Sequence, residues 1–220
     1  MNRIRTRILN LCQVPPASGL RSPLPTKQVR SRKTRDALIA AAWKQLQSHS
    51  WQDISINDIV KTAGSSVGAF YSRFSDKEAL LEALAASWLE ERWLQCAEGF
   101  AALKPGADYA AYAILGSYHH LLRYQNFWRA VLLKGATNSA FWEPFRARGR
   151  QTMQLTIEHH ERHIGRALTE EEIQRIGFAF QMANGAINNG IVNRPGPLLP
   201  DTQEFEDALV RGFKAVWGLI

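Results

Sequence analysis

The residues best suited to chemistry in this 220-residue chain lie in the stretch Ser55–Lys77. Small, polar or basic side chains recur there at Gly68, Ala69, Ser72 and Arg73. Hydroxyl and guanidinium groups can donate to phosphate oxygens and to the edges of bases, and small residues let another molecule approach closely. Arg73 is the only one of these four that could make a bidentate contact to guanine, with a simple phosphate contact as the alternative.

Two histidines four residues apart form a second candidate for chemistry. His159 and His163 would lie on one face of a helix, as two ligands of a metal ion require. Three further histidines raise the count: His119, His120 and His160. A metal-binding helical protein or hydrolase using the His159/His163 face is therefore an alternative. The pattern His-Glu-x-x-His is absent, however, and two arginines flank the same surface, so we expect no metal site, no cofactor and no enzyme.

The stretch Ser55–Lys77 carries the signals of two short helices joined by a sharp turn. Ser55 can cap the first helix, because Asp58 follows it at capping-box spacing. Gly64 predicts the turn, since glycine adopts left-handed backbone without steric cost. Ser66 can cap the second helix, whose inner side we expect to be formed by Val67, Phe70 and Phe74. A short helix that is apolar inside and smooth and basic outside fits the major groove of DNA.

The spacing of these residues resembles the helix-turn-helix of the tetracycline-repressor (TetR-type) family of bacterial transcription regulators. That pattern has a Ser/Thr cap, an Asp-Ile pair, Ala-Gly, a Ser-x-Gly run and then Tyr-x-x-Phe-x-x-Lys-x-x-Leu-Leu. It appears here as Ser55, Asp58-Ile59, Ala63-Gly64, Ser66-Val67-Gly68, Tyr71, Phe74, Lys77 and Leu80-Leu81. Many spaced agreements make this a specific signal, unlike a lone Ala-Gly turn.

The resemblance implies roles for individual residues. A tyrosine of the second helix, the recognition helix, and a lysine at the start of the next long helix typically contact phosphate in the family. We therefore expect this role for Tyr71 and Lys77, and a helix start with a nearby ammonium does favour an anion. The expected DNA-binding residues are Ser55, Ser66, Val67, Gly68, Ala69, Tyr71, Ser72, Arg73 and Lys77. The family also implies a near-palindromic operator, a homodimer and, most often, repression that ends when a small molecule binds.

The basic residues are concentrated in the first third of the chain. Residues 1–77 carry 13 Lys/Arg against 4 Asp/Glu, whereas residues 78–220 carry 14 against 16. This asymmetry is typical of a DNA-binding end attached to a near-neutral body. We expect a flexible basic leader at 1–30, a helix-turn-helix domain at 31–77 and a ligand-binding and dimerisation domain at 78–220. The leader could reach along DNA as a basic arm or be a passive extension.

Helical periodicity throughout predicts an all-α fold. A helix from Thr34 to His49 would support the helix-turn-helix, and a long helix capped by Ser75 or Asp76 would run toward Ala97. Further helices are expected at about 108–123, 126–134, 138–164, 169–189 and 202–218. The helix at 169–189 is rich in small residues and the last helix has an apolar side. In the family such helices pair with their copies as a four-helix bundle; packing within one subunit is the alternative.

The body is rich in aromatic residues, which a pocket for a small effector would need. The candidates for ligand binding are Trp88, Tyr112, His119, Trp128, Phe178, Gln181 and Asn184, although ordinary core packing explains most of these residues equally well. Two lone cysteines, Cys12 and Cys96, form no disulfide framework and suit the reducing cytosol. No stretch approaches the roughly 20 apolar residues of a membrane span. We therefore expect a cytoplasmic protein that does not bind membranes.

Overall fold

The computed structural model describes residues 26–104 and 106–220, with side chains described from Ser31 onward. This part of the chain is helical and contains no strand, which confirms the all-α prediction. A 3-10 turn, Ser139–Trp142, stands between the sixth and seventh helices. The α-helices are α1 Thr26–Leu46, α2 Ile56–Thr62, α3 Val67–Tyr71, α4 Lys77–Ala102, α5 Tyr109–Arg123, α6 Gln125–Thr137, α7 Glu143–Ile164, α8 Glu170–Asn193 and α9 Gln203–Trp217.

Several helix bounds differ from those expected. Helix α1 begins at Thr26 rather than Thr34, so its first turn lies inside the segment predicted as a leader. The helix expected at 138–164 is interrupted after Trp142, and α7 then begins with Glu143-Pro144. Proline is tolerated there because the first turn of a helix needs no backbone N–H. The rest of the predicted leader, including Cys12, lies outside the described residues.

The predicted helix caps are present. The Asp58 backbone N–H donates to Ser55 Oγ at 3.1 Å and the Ser55 N–H to Asp58 Oδ2 at 3.0 Å, which is a capping box. Gly64 has a φ of +61°, as the sharp turn requires. Ser66 Oγ accepts the Ala69 N–H at 3.1 Å and so caps α3. These side chains satisfy backbone groups that a helix start leaves without partners.

The described residues divide into two compact units. One, here called the head, comprises residues 26–88 and 126–141; the other, here called the body, comprises residues 89–125 and 142–220. Helix α4 contributes its first half to the head and its second half to the body. The unit that contains the helix-turn-helix therefore extends beyond residue 77. The functional boundary that the sequence analysis placed at residue 77 stays a prediction.

The head has its own core around the helix-turn-helix. Helix α1 packs on α2 and α3, and α2 on α3. An aromatic group adds to this core: Trp88 stacks on Trp128 with ring centroids 5.5 Å apart, and Phe127 lies against both Trp43 and Trp88. Complete burial of large apolar side chains is the main stabilising contribution to such a small unit. The fully buried ones here are Leu38, Ile59, Phe70, Leu80, Leu81, Leu84 and Phe127.

The body is built on the packing of α8 along α9, with α5 against both. Its fully buried side chains include Ile114, Ile157, Ile176, Ile187 and Phe213. Gly99 leaves room for Tyr112, because a Cβ at position 99 would lie 1.5 Å from the Tyr112 hydroxyl oxygen and would force that side chain to move. None of the described helices combines the length and apolarity needed to cross a membrane.

Candidate nucleic-acid interface

Helix α3 has one buried side and one open side. Phe70 is fully buried and Phe74 is 5% exposed, so the expected inner side is confirmed for these two residues. The expectation that Val67 lies on the inner side was wrong, since its side chain is 40% exposed. Val67 is the first residue of a five-residue helix, and the buried contacts come from Phe70 at its end and Phe74 just beyond it. Val67 is therefore accessible from outside.

The open side of α3 carries the small and polar residues that the sequence indicated. Ser66, Gly68 and Ser72 are exposed, and Ala69 is half-buried. Nothing lies within 4 Å of a Cβ built on Gly68, so another molecule can come close to the backbone there. Tyr71 is 54% exposed and touches the Phe70 ring edge-on at 5.4 Å. This side of α3 is smooth enough to enter a groove.

Arg73 is folded back onto the protein. Its Nε donates to the Ser31 carbonyl at 3.2 Å, and its Nη1 donates to the Ala69 carbonyl at 2.8 Å and to Ser72 Oγ at 2.6 Å. A bidentate contact to a base needs two neighbouring N–H groups. With Nε and Nη1 both engaged, such a contact would require at least one of these bonds to break. The geometry favours the alternative that was left open, a simple contact to phosphate.

Lys77 is held by Trp51, a residue that the sequence analysis assigned no role here. Its Nζ donates to the Trp51 carbonyl and lies 4.7 Å from the centroid of the Trp51 ring. Partial burial lowers the pKa of Lys77, while the carboxylates of Glu78 and Asp53 oppose that shift. An ammonium has three N–H donors, so the bond to Trp51 leaves two that could bind an anion.

Trp51, which holds Lys77, is connected through Glu78 to Lys134 of α6. The Trp51 indole Nε1 donates to Glu78 Oε1 at 3.2 Å, and Lys134 Nζ lies 3.0 Å from Glu78 Oε2 and 3.2 Å from Glu82 Oε1. Burial lowers the pKa of Lys134, but hydrogen bonds to the two carboxylates outweigh this and raise it overall. The residue that positions Lys77 is therefore itself hydrogen-bonded to an ion-paired carboxylate.

Two contacts that hold the cations of the head could not be found from the sequence. Ser31 lies 42 residues from Arg73, and Trp51 lies 26 residues from Lys77. Both act through a backbone carbonyl, and every residue has one of these. No residue type or spacing marks either carbonyl as special.

The expected ligand-binding residues are not gathered at one place within either unit. Trp88 and Trp128 stack in the head, while the other candidates belong to the body. His119 is exposed and 2.8 Å from the Glu206 carboxylate. Phe178 is 60% exposed and Gln181 is also exposed, which argues against a closed pocket around them within one subunit.

The remaining ligand candidates lie in separate surroundings. Tyr112 stands edge-on to Phe100 with centroids 5.1 Å apart, and Asn184 is half-buried. A groove of about 280 Å³ beside Trp51, Glu78 and Lys134 is lined by none of the seven candidates. Their role in ligand binding stays a prediction.

The histidine pair packs against an aromatic ring. His159 and His163 lie 5.0 and 5.3 Å from the centroid of Tyr109, whose hydroxyl is hydrogen-bonded to His160 Nδ1. Burial lowers the pKa of His159, and Arg162 adds to that shift. Among the described residues no three His, Cys, Asp or Glu side chains are grouped so as to hold a metal ion. The structure thus gives the metal alternative no support.

Comparison with known proteins agrees with this geometry. Residues 38–84 match the sequence model of the bacterial regulatory proteins of the tetR family. No curated protein matches the chain in sequence.

Solved structures share the fold at low sequence identity. A tetR-family transcriptional regulator from Streptomyces coelicolor is 20% identical, with a TM-score of 0.59 over 86% of this chain and 82% of that one. A transcriptional regulator from Cytophaga hutchinsonii is 15% identical, with a TM-score of 0.64 over 84% and 94%. RolR in complex with resorcinol is 19% identical, with a TM-score of 0.57 over 88% and 90%. The family match spans the helix-turn-helix of the head, so residues 38–84 carry a TetR-type DNA-binding helix-turn-helix, and the fold of the chain is similar to that of the solved TetR-family regulators.

Proposed function

We propose that this protein is a TetR-type transcriptional regulator, a homodimeric repressor that binds a near-palindromic operator and leaves it when a small molecule binds the domain at 78–220. The observation that carries the proposal is the open side of α3 beside Lys77, on the basic third of the chain. In a dimer, the two copies of α3 would enter successive major grooves about 34–36 Å apart.

The DNA contacts divide into two groups by chemistry. Ser66, Val67, Gly68 and Ala69 lie on or at the start of α3 and would face the bases. Tyr71, Ser72, Arg73 and Lys77, together with Ser55 at the start of α2, would contact phosphates. Phosphate contacts supply most of the affinity and its dependence on salt, whereas the base contacts supply sequence preference.

Apolar exposure on α8 supports the homodimer. Phe178 is 60% exposed, Met182 37% and Val192 46%, and all three belong to this one helix. Gly185 and Ala186 are exposed between them, so a second helix could approach closely. Exposed apolar patches of this kind mark contact surfaces in soluble proteins. We assign this face of α8, together with α9, to the two-fold interface.

The effector is proposed by analogy. RolR, whose fold is similar, binds resorcinol, a small molecule. Binding of a small molecule to the domain at 78–220 would favour a shape that does not fit the operator. The factor by which the effector lowers the affinity for DNA would equal the factor by which DNA lowers the affinity for the effector, and it could not exceed the effector's preference for that shape.

Operator binding is tested with the purified protein and DNA fragments from around its own gene, at physiological salt and with excess competitor DNA. Protection of a near-palindromic site supports the proposal. Salt-sensitive binding without any protected site places the operator elsewhere in the genome. A selection from random-sequence DNA that also yields no preferred site would refute sequence-specific regulation.

The phosphate role of Lys77 is tested by Lys77→Ala. We expect weaker binding to all duplexes and a dependence of log K on log salt that is shallower by about 0.9, the contribution of one phosphate contact. The matched control is Lys104→Ala, which removes the same charge from an exposed lysine outside the helix-turn-helix. A salt slope that does not change in Lys77→Ala would contradict this role.

A further inference from the structure

The N-terminal part of α1 presents basic side chains to solvent. The helix starts at Thr26, well before Leu38, where the family match begins. Arg32, Lys33 and Arg35 are all exposed, and no described carboxylate forms an ion pair with Arg32 or Lys33. The first acidic residue of the chain is Asp36. We call residues Ser31–Arg35 the basic turn.

The basic turn is hydrogen-bonded through Arg73 to the end of α3, the recognition helix. The Ser31 carbonyl accepts from Arg73 Nε at 3.2 Å, and Arg73 Nη1 donates to the Ala69 carbonyl of α3 at 2.8 Å. A second contact follows one turn further along α1, where the Arg35 guanidinium lies 5.8 Å from the centroid of the Phe74 ring. Arg73 therefore bridges two segments that are far apart in sequence, and it fixes where the basic turn lies relative to α3.

We infer that the basic turn is a second DNA-contact surface, on which Arg32 and Lys33 bind the phosphates beside the groove that α3 enters. This inference rests on the proposed operator binding. Phosphates line both edges of the major groove, so cations held next to the end of α3 lie near one of these edges. Exposed cations without carboxylate partners can make such contacts without first breaking an ion pair. Besides the phosphate contact proposed for it above, Arg73 then holds the two contact surfaces together.

The inference is tested by the salt dependence of binding to a mixed-sequence duplex of about 40 base pairs. For Arg32→Gln/Lys33→Gln we expect a slope of log K against log salt that is shallower by roughly 2, because each lost phosphate contact removes about 0.9. The matched control is Lys44→Gln/Lys104→Gln, which removes the same charge from exposed sites away from the basic turn and should leave the slope unchanged. Thermal melting checks that both variants are folded, and Lys33→Gln alone should give about half of the change.

The outcomes separate this inference from the proposed function. If the wild type binds but Arg32→Gln/Lys33→Gln keeps its slope, the second surface is refuted and the proposed function stands. If the control loses as much slope as the test variant, the effect is one of net charge and the inference is again refuted. If the wild type binds no DNA at any salt, the proposed function and the inference fall together.

Arg73→Gln tests the positioning role by salt dependence and by sequence preference. We expect a slope of log K against log salt that is shallower by more than the about 0.9 of its own phosphate contact, because Arg32 and Lys33 lose their positions as well. The preferred bases, measured by selection from random-sequence DNA, should not change. Relaxed preference at a single base pair would show that Arg73 reads a base, and would refute the positioning role.

Discussion

A substitution at Tyr71 should change DNA contact without changing the stability of the head. Its ring is 54% exposed and touches the Phe70 ring only edge-on. We expect Tyr71→Ala to weaken DNA binding about tenfold, the size of one lost hydrogen bond to a charged group, with little change in melting temperature. Tyr71→Phe should lose as much affinity, since the hydroxyl is the group proposed to bind phosphate. Unfolding of Tyr71→Ala would instead show that the ring belongs to the core.

His120 predicts how stability depends on pH. Burial, and then the charges of Arg92 and Arg123, lower its pKa to about 4 from the ordinary 6.5. The unfolded chain therefore takes up a proton near pH 6.5, whereas the folded protein does so only near pH 4. Stability from this residue is complete above pH 6.5, falls as the pH drops toward 4 and is constant below that.

A pKa difference of this size corresponds to at most about 3 kcal/mol of stability. Because the side chain is partly exposed, we expect the free energy of unfolding to fall by only about 1–2 kcal/mol between pH 7 and pH 4. The measurement is urea unfolding at several pH values. His120→Gln should show a smaller loss than the wild type, while His159 and His160 titrate in both proteins. Equal pH dependence in both proteins would contradict the lowered pKa.

At the level of elements, two glycines of the helix-turn-helix make a matched pair. Gly64 has a φ of +61°, whereas Gly68 lies within α3, and neither has an atom within 4 Å of an added Cβ. Gly64→Ala should therefore lower the free energy of unfolding by about 1–2 kcal/mol through backbone strain alone. Gly68→Ala should raise it by about 0.5–1 kcal/mol, since alanine is the better helix former.

For Gly68→Ala, DNA binding and stability should change in opposite directions. The added methyl group stands on the open side of α3, so we expect Gly68→Ala to weaken operator binding while it stabilises the fold. Chemical unfolding and DNA titration of both variants check these expectations. A stabilised Gly68→Ala variant that binds the operator as tightly as the wild type would show that α3 does not approach DNA through this residue.

The stability of helix α3 depends on its surroundings, because it has only five residues. Five residues cannot hold a helix in water, because forming the first turn costs more entropy than one hydrogen bond returns. The Ser66 cap and the burial of Phe70 provide the missing stabilisation. The cap and the apolar spacing are visible in the sequence, which is why the element could be predicted despite its length.

For the whole molecule, the exposed apolar face of α8 predicts the oligomeric state. We expect Phe178→Glu or Met182→Glu to convert the proposed dimer to a monomer, because a carboxylate buried at the proposed two-fold interface would have no partner. Leu94→Glu is the control, since Leu94 is 52% exposed but lies on α4. Analytical ultracentrifugation measures the mass. A Phe178→Glu protein that remains dimeric would place the interface elsewhere.

Loss of the dimer should also reduce operator affinity. One head alone contacts one half-site, so the variant that dissociates should bind a near-palindromic operator much more weakly than the control variant does. Equal operator affinity in a monomeric Phe178→Glu protein would contradict the proposed symmetric mode of binding.

Features that depend on near neighbours in the chain could be predicted from the order of the residues. The capping box at Ser55, the left-handed Gly64 and the cap at Ser66 are decided within a few residues and were predicted. The sequence also determined that the basic excess lies in the first third of the chain.

The contacts made by the cations of the head arise from tertiary packing. Arg73 reaches the Ser31 carbonyl 42 residues away, and Lys77 reaches the Trp51 carbonyl 26 residues away. Tertiary packing likewise leaves Val67 exposed and Phe178 facing outward. Backbone carbonyls are the same at every position, so residue type and spacing do not show which carbonyl a cation will contact. Exposure depends on which helices pack together, and this is known only from the assembled fold.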